Sequence, residues 1–324
     1  MLDFLEKTEI IDDASYGVTM KSTVEPYLEK RRTDGYFISF DGKRMHYEAY
    51  EKLLSRGSVV ILHGFCESAE KFREITYYFR KAGYSVFVPD LRGHGKSYHG
   101  SDKKETVGIE SFNTYERDLE EFIEKAVKPA SGNRKIYIYS HSLGSTVSLL
   151  YLMKNPDAVS KAVLSSPMIC PNTGMPVFLA GTASRLLCAA GGKNVSAPGR
   201  CVFNENASAG DSDAASPERF YYYHEKRIKE PLYQTSGPAF SWVTASLEAR
   251  DKILGEWKKS CVNTKLLVFI PEEDKQLLTE YTRKFVSLSG AKAKKAENSR
   301  HEIFMSRKDS LRWYMEEIFD FFGD

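Results

Sequence analysis

Four serines lie within nine residues in the stretch IYIYSHSLGSTVS (136–148), where a run with β-strand composition turns abruptly small and polar. A serine at the tip of a sharp turn from strand to helix can act as a nucleophile. Such a turn needs small residues two positions before and two positions after the serine, because the strand and helix backbones come close together. Ser142 meets this condition, with Ser140 before it and Gly144 after it.

The neighbouring serines fit such a turn less well. Ile138 stands two positions before Ser140, and Leu143 stands two positions before Ser145. The first small position is usually glycine, and Ser140 can replace it if its backbone keeps an ordinary β conformation. We therefore predict Ser142 as the nucleophile. A plain strand followed by a serine helix cap is the alternative, so the prediction depends on partner residues elsewhere.

A serine nucleophile needs an imidazole that takes its proton. Where this turn carries the nucleophile, an acid and then a histidine follow it along the chain, and two histidines follow Ser142. His224 lies in an irregular aromatic segment, before any later strand that would carry the acid. His301 lies between the last predicted strand and the last predicted helix, and we predict it as the general base.

The acid is expected where the apolar strand KLLVFI (265–270) ends, in the sequence PEEDKQLL. A carboxylate there would bind one imidazole nitrogen and fix the tautomer, which leaves the other nitrogen to take the serine proton. Asp274 is our choice, and Glu272 and Glu273 are the alternatives.

The negative oxygen that forms during attack on a carbonyl needs two backbone N–H donors. One is Leu143, at the start of the helix after the turn, where the helix dipole also favours negative charge. The other is expected from Phe65 or Cys66, in the loop HGFCES that follows the strand SVVILHG. The thiol of Cys66 has no part in this chemistry, and we interpret it as a bystander.

The scaffold for these residues is predicted from alternating strand and helix patterns, which indicate an α/β fold with a mostly parallel sheet flanked by helices. The predicted strands are 36–40, 43–50, 58–64, 84–90, 134–140, 158–166, 265–270 and 291–297. The predicted helices are 68–83, 112–127, 142–154, 275–288 and 309–322. The second of these helices is expected to stop at Pro129.

The alternation fails over residues 168–250, which are too many for a plain loop. We predict four parts: an N-terminal arm (1–35), a first part of the core (36–167), an inserted, mainly helical cap (168–250) and a second part of the core (251–324). The cap is expected to fold over the nucleophile and form an apolar channel for one acyl chain, with Phe240 and Trp242 as substrate-binding residues.

An aromatic and basic cluster, FYYYHEKR (220–227), also lies in the predicted cap. Aromatic rings beside cations suit a membrane interface or an anionic head group. The alternative is that these aromatic residues form a small core of the cap itself.

Composition limits the partners and the compartment. A formal net charge of +2 over 324 residues gives no reason to expect nucleic acid as a partner. The acidic start MLDFLEKTEIIDD lacks the features of a signal peptide, and prolines interrupt the least polar long segment, 162–192, so no membrane span is predicted. Five cysteines without a C-x-x-C pair favour free thiols in a reducing compartment, most simply the cytoplasm.

The motifs HGFCES, DLRGHGKS, SHSLGS, EED and RHEIF occur in this order, and with them the chain resembles the α/β-hydrolases of the monoacylglycerol lipase and lysophospholipase group. The resemblance covers nearly everything from residue 36 onward, although 185–215 matches poorly. It implies that Ser142, Asp274 and His301 form the catalytic triad, and that Phe65 and Leu143 are the oxyanion donors.

The expected function is therefore that of a serine carboxylic-ester hydrolase without metal or organic cofactor. It would act on a lysophospholipid or a monoacylglycerol, with peripheral contact to the inner membrane face through the cap. A short-chain carboxylesterase is the alternative, and a non-catalytic ligand-binding module on the same fold is a rival of another class. Epoxide hydrolases and haloalkane dehalogenases need an aspartate in place of Ser142 and are excluded.

Overall fold

A computed structural model describes residues 9–100, 105–199 and 202–323, so the first eight residues of the predicted arm and Cys201 lie outside the described residues. An eight-stranded sheet runs through the centre, in the order β1-β2-β4-β3-β6-β7-β9-β10. Its strands are β1 (Thr33–Ile38), β2 (Arg44–Tyr50), β3 (Ser58–Leu62), β4 (Ser85–Pro89), β6 (Ile136–His141), β7 (Lys161–Ser165), β9 (Lys265–Pro271) and β10 (Lys292–Ala296).

The central sheet is mostly parallel, and its middle strands are buried. β2 pairs antiparallel with β1 and β4, and all other neighbouring strands of this sheet are parallel. The strands β3, β4, β6 and β7 are buried along their whole length, as expected for parallel strands covered on both faces. The prediction of a mostly parallel sheet flanked by helices is confirmed.

Eleven α-helices occur among the described residues, some of them joined by single 3₁₀ or π turns. They are α1 (Tyr16–Thr19), α2 (Glu25–Glu29), α3 (Arg73–Lys81), α4 (Phe112–Phe122), α5 (Lys128–Ser131), α6 (Leu143–Lys154), α7 (Val177–Leu187), α8 (Pro217–Lys229), α9 (Phe240–Glu256), α10 (Thr279–Ser289) and α11 (Lys308–Gly323). No helix in the described part of the chain is both long enough and apolar enough to cross a bilayer.

The expectation that Pro129 stops a helix is wrong. A π turn (Ile123–Val127) follows α4 and leads directly into α5, and the helical run ends only at Gly132, whose φ is 57°. Pro129 lies in the first turn of α5, where a missing N–H does the least harm.

The segment between β7 and β9 is mainly helical. It contains α7, α8 and α9, and β8 (Gly237–Pro238), which pairs with β5 (Thr106–Val107) in a small second sheet. The expected boundary at residue 250 falls inside α9, which runs to Glu256. The helix continues there because it has no proline or glycine before Gly255, and its contacts extend from α7 to the core helices α4, α6 and α10.

The described part of the predicted arm before β1, called here the N-terminal segment (residues 9–29), packs against the rest of the protein. Ile10, Tyr16, Val24 and Leu28 are buried in one apolar cluster together with side chains of α3 and α8. The same cluster includes the buried Tyr222 and Tyr223 of FYYYHEKR, and Phe220 packs against it.

The cations of that cluster are paired inside the protein. Lys226 binds Glu25 and Glu70, and Arg227 donates to the carbonyl oxygens of Tyr233 and Thr235. Tyr222 and Tyr223 thus belong to a core shared with the N-terminal segment and α3 rather than to a core of the cap alone, while Tyr221 is 47% exposed.

Candidate active site

Ser142 lies between the last residue of β6 and the first residue of α6. Its φ is 49° and its ψ is −113°, which is a strained conformation for a residue other than glycine. A Cβ on Gly144 would approach the carbonyl oxygens of Leu62 to 2.4 Å and His63 to 2.7 Å. A side chain at Gly144 would thus collide with the end of β3, as a tight strand-to-helix turn requires.

Ser140 and Ser145 lie inside the turn rather than at its tip. Ser140 is in β6 and its hydroxyl donates to the Val163 carbonyl oxygen at 3.2 Å, while the Ser145 hydroxyl donates to the Ser140 carbonyl oxygen at 3.1 Å. Both side chains are fully buried. Serine is thus accommodated at the usual glycine position because the backbone there is ordinary β strand.

His301 lies between Ser142 and Asp274. Its Nε2 is 3.0 Å from the Ser142 hydroxyl oxygen, and its Nδ1 is 2.9 Å from Asp274 Oδ2. The other carboxylate oxygen of Asp274 accepts the N–H groups of Gln276 at 2.9 Å and Leu277 at 3.0 Å. Asp274 is thereby fixed on the loop after β9, at the edge of the sheet where β6 also ends.

The alternative acids and the alternative histidine face other groups. Glu272 pairs with Lys295 at 2.9 Å and accepts the Asn298 N–H, and the side chain of Glu273 is exposed. His224 lies on α8, where its Nε2 is 2.8 Å from the Glu205 carbonyl oxygen. Of the three candidate acids, the structure brings Asp274 to His301.

The environment of His301 favours its protonated form. Burial lowers the pKa of His301, but the hydrogen bond to Asp274 and the charge of that carboxylate outweigh burial, so the pKa lies above the usual histidine value. A base of raised pKa binds a serine proton more strongly during attack.

The loop after β3 contains the other expected oxyanion donor, Phe65. The His63 ring fixes this loop, since its Nε2 accepts the Leu91 N–H at 2.9 Å and its Nδ1 donates to the Gly64 carbonyl oxygen at 2.7 Å. Cys66 follows with a φ of 60°, and burial raises the pKa of its thiol to about 12. The thiol is therefore a poor nucleophile at neutral pH, consistent with the bystander interpretation.

Trp242 and Phe240 both lie in the first turn of α9. The Trp242 ring is buried, with its centroid 4.4 Å from that of Phe65 and 5.5 Å from that of Phe112. Phe240 is half-buried, and its N–H donates to the Val195 carbonyl oxygen at 3.0 Å. Trp242 thus joins the cap to the loop that carries the expected oxyanion donor.

Sequence reasoning missed three titratable side chains beside the site: Glu67, Lys71 and His141. Glu67 accepts hydrogen bonds from both Lys71 and His141. Two of the three lie inside motifs already noted, HGFCES and SHSLGS, but no local pattern relates positions 67 and 141.

Known proteins share sequence similarity with this chain. Residues 54–308 match the model of the family described as serine aminopeptidase, S33. Lysophospholipase L2 of Escherichia coli (strain K12) is 26% identical over 91% of this chain and 88% of its own length. The monoacylglycerol lipase of Mycolicibacterium smegmatis is 30% identical over 57% of this chain and 62% of its own length.

Solved structures share the fold. A monoglyceride lipase from Saccharomyces cerevisiae, solved with a substrate analogue, superposes with a TM-score of 0.67 at 18% identity, covering 89% of this chain and 92% of its own. A thermostable carboxyl esterase from Bacillus coagulans, solved with glycerol, gives a TM-score of 0.71 at 19% identity, covering 90% and 98%.

Proposed function

The chain belongs to the serine aminopeptidase, S33, family, and from this premise we propose that it is a serine carboxylic-ester hydrolase acting on monoacyl lipids. One observation carries the proposal: the hydroxyl of Ser142, on a strained turn, is 3.0 Å from His301 Nε2, and His301 Nδ1 is 2.9 Å from Asp274. Such an arrangement activates a hydroxyl for attack on a carbonyl carbon.

The reaction proceeds in two halves. Ser142 attacks the ester carbonyl while His301 takes its proton, and His301 then gives that proton to the departing alcohol. Asp274 keeps the imidazole in the tautomer that has a free Nε2, and the N–H groups of Leu143 and Phe65 stabilise the oxyanion. Water, activated by His301, then releases the fatty acid from the acyl-enzyme.

The relatives and the cap support a lipid substrate. The two curated relatives described above are a lysophospholipase and a monoacylglycerol lipase, and the first covers nearly the whole chain. We propose that Phe240 and Trp242 contribute to an apolar channel for one acyl chain, because α9 joins the cap to the Phe65 loop.

The surface of α7 supports peripheral contact with a membrane. Its small residues Ala180 and Gly181 are buried, and Gly181 faces Leu247 of α9. On its other side Phe178 is 72% exposed and Leu186 is 66% exposed. An apolar helix face left in water on the cap suits contact with the interface that presents the lipid substrate.

A substrate series tests this proposal. We expect release of fatty acid from lysophospholipids and monoacylglycerols, with kcat/KM rising several-fold per added pair of CH₂ groups until the channel is filled. The reason is that each buried CH₂ contributes about 0.8 kcal/mol. Activity that peaks at acetyl or butyryl esters and collapses by octanoyl would instead identify a short-chain carboxylesterase. Absence of hydrolysis across the series would indicate a non-catalytic module.

A further inference from the structure

A buried carboxylate, Glu67, lies beneath the loop that carries the expected oxyanion donor. Its Oε2 accepts the N–H of Gly64 at 2.5 Å and faces Nδ1 of His141 at 3.0 Å. Its Oε1 accepts a hydrogen bond from Lys71 Nζ at 3.0 Å. Burial alone would raise the pKa of Glu67, but the charges of His141 and Lys71 hold it well below its usual range. Glu67 is therefore an ionised carboxylate, and each of its two oxygens accepts a hydrogen bond.

Gly64 packs directly on this carboxylate. A Cβ at Gly64 would lie 2.7 Å from His141 Nδ1 and 2.8 Å from Glu67 Oε2, so the position has no room for a side chain. Gly64 also immediately precedes Phe65. The hydrogen bond from its N–H to Glu67 thus fixes the peptide that leads to the Phe65 N–H.

The same carboxylate contacts His141, which immediately precedes the nucleophile Ser142. His141 Nε2 is 3.3 Å from the carbonyl oxygen of His301, and the hydroxyl of Ser166 donates to that oxygen at 2.6 Å. Both ring nitrogens of His141 face oxygen acceptors, so both contacts are hydrogen bonds only when the ring carries two protons.

Lys71 connects Glu67 to the loop that carries His301. Its ammonium group binds Glu302, the neighbour of His301, as well as Glu67. One ionised carboxylate therefore joins the three segments that carry the oxyanion donor, the nucleophile and the general base.

We propose that Glu67 is a positioning residue that fixes the relative positions of these three segments as the transition state requires. This inference rests on the proposed function, because it assigns Glu67 to the reaction of Ser142. Its effect should fall on the chemical step, since the contacts fix backbone segments around the reacting atoms and reach no expected substrate contact.

Glu67→Gln is the direct test. A glutamine whose oxygen accepts from Gly64 and His141 must point its NH₂ group at the Lys71 ammonium. Both of those groups are hydrogen-bond donors, so the contact with Lys71 is lost. We expect kcat to fall about 10²-fold with KM nearly unchanged, the size of effect produced by a misplaced reacting group or a lost oxyanion donor. Affinity for a long-chain trifluoromethyl ketone, which forms an oxyanion on the serine, should fall by a similar factor.

Glu48→Gln is the matched control. Glu48 is similarly buried but lies on β2, the second strand from one edge of the sheet, where it binds Tyr50, Arg73 and Arg32 and none of the three segments. Its change should lower the urea midpoint of unfolding and leave kcat and ketone affinity unchanged. Folded Glu67→Gln protein with wild-type kcat and ketone affinity would overturn the inference, as would a loss confined to KM.

His141→Gln keeps the inference testable if Glu67→Gln does not fold. It should reproduce the loss in kcat and ketone affinity, and the double variant should lose little more than either single one, because the two residues act as one unit. A folded His141→Gln enzyme with wild-type kcat would contradict us. The proposed function fails separately, if Ser142→Ala retains activity.

Discussion

At the scale of single residues, Asp274 uses its two oxygens for different tasks. Oδ1 accepts two backbone N–H groups, from Gln276 and Leu277, and Oδ2 faces Nδ1 of His301. In Asp274→Asn the amide oxygen would keep the two backbone hydrogen bonds, so the NH₂ group would point at His301 Nδ1. That nitrogen would then have to accept, which puts the ring proton on Nε2, where it cannot take the serine proton. By analogy with the serine proteases we expect kcat to fall about 10³–10⁴-fold. Steady-state kinetics check this, with Glu272→Gln as the control that should change little.

The raised pKa of His301 sets the acidic limb of the pH–rate profile. The base must be neutral to accept the serine proton, so kcat/KM should rise with pH through the pKa of free-enzyme His301, which lies above the usual histidine value of about 6.5. Asp274→Asn removes the two largest contributions that raise this pKa, the hydrogen bond and the charge of Asp274, while burial, which lowers it, remains. The residual activity of that variant should therefore show its acidic limb at lower pH, and a limb that does not move would contradict the assignment.

The sequence identified these residues because each stands next to a strong local signal. Ser142 and Gly144 define the turn, and Asp274 follows an apolar strand. Glu67 and His141 were missed because their contact joins positions 74 residues apart, on different loops. Pattern reasoning locates reactive side chains at strand ends, whereas a hydrogen bond between two such loops is visible only after folding.

At the scale of elements, Arg219 joins the cap helix α8 to the core and to the N-terminal segment. Its guanidinium donates to Glu74 at 3.0 and 2.9 Å and to the Ile11 carbonyl oxygen, pairs with Asp13, and is fully buried. Arg219→Met would leave the buried Glu74 side chain without a cationic partner, with the Tyr78 hydroxyl as a remaining side-chain donor. We expect a loss of about 3–5 kcal/mol in the free energy of unfolding, measured by urea denaturation.

Arg185→Met on α7 is the matched control for that change. Arg185 also pairs with a glutamate, Glu248, but both side chains are more than half exposed, so the loss should stay within about 1 kcal/mol. Adding Glu74→Gln to Arg219→Met should recover part of the loss. Equal destabilisation by both arginine changes would show that the buried network does not hold α8 in place.

The contacts of α8 also show what could not be predicted at the level of elements. The cluster on α8 combines aromatic rings and cations, a composition that fits a membrane surface as well as a buried interface. Lys226 of this cluster pairs with Glu25 of the N-terminal segment and Glu70 of the turn before α3, and the preceding Arg219 pairs with Asp13 and Glu74, all far away in sequence. The strands of the core were predictable because their apolar runs are local in sequence. What the cluster on α8 packs against was not predictable, because it depends on these distant carboxylates.

At the scale of the whole molecule, exposed apolar side chains occur at both ends of the central sheet. Phe178 and Leu186 are on the cap, which follows β7 at the end of the sheet where Ser142 lies, and Leu53 and Leu54 are in the turn between β2 and β3 at the opposite end. If α7 contacts the lipid surface, Phe178→Ser with Leu186→Ser should lower kcat/KM several-fold on lysophospholipid in vesicles and leave soluble p-nitrophenyl butyrate turnover unchanged.

The double change Leu53→Ser with Leu54→Ser is the control, since it removes two apolar side chains that are more exposed than Phe178 and Leu186 but lie away from the site. It should leave both activities as in the wild type. Equal losses for the two pairs on vesicles would show a general effect of surface hydrophobicity and would remove the case for α7.

Release of fatty acid from a lysophospholipid by the wild type, Ser142→Ala and Ser140→Gly tests the central claim most directly. We expect turnover by the wild type, a loss of up to ~10⁶-fold in Ser142→Ala because the triad acts as a unit, and Ser140→Gly within an order of magnitude of the wild type. Fatty-acid release that persists in Ser142→Ala, or a fluorophosphonate adduct mapped to Ser140 or Ser145, would contradict it.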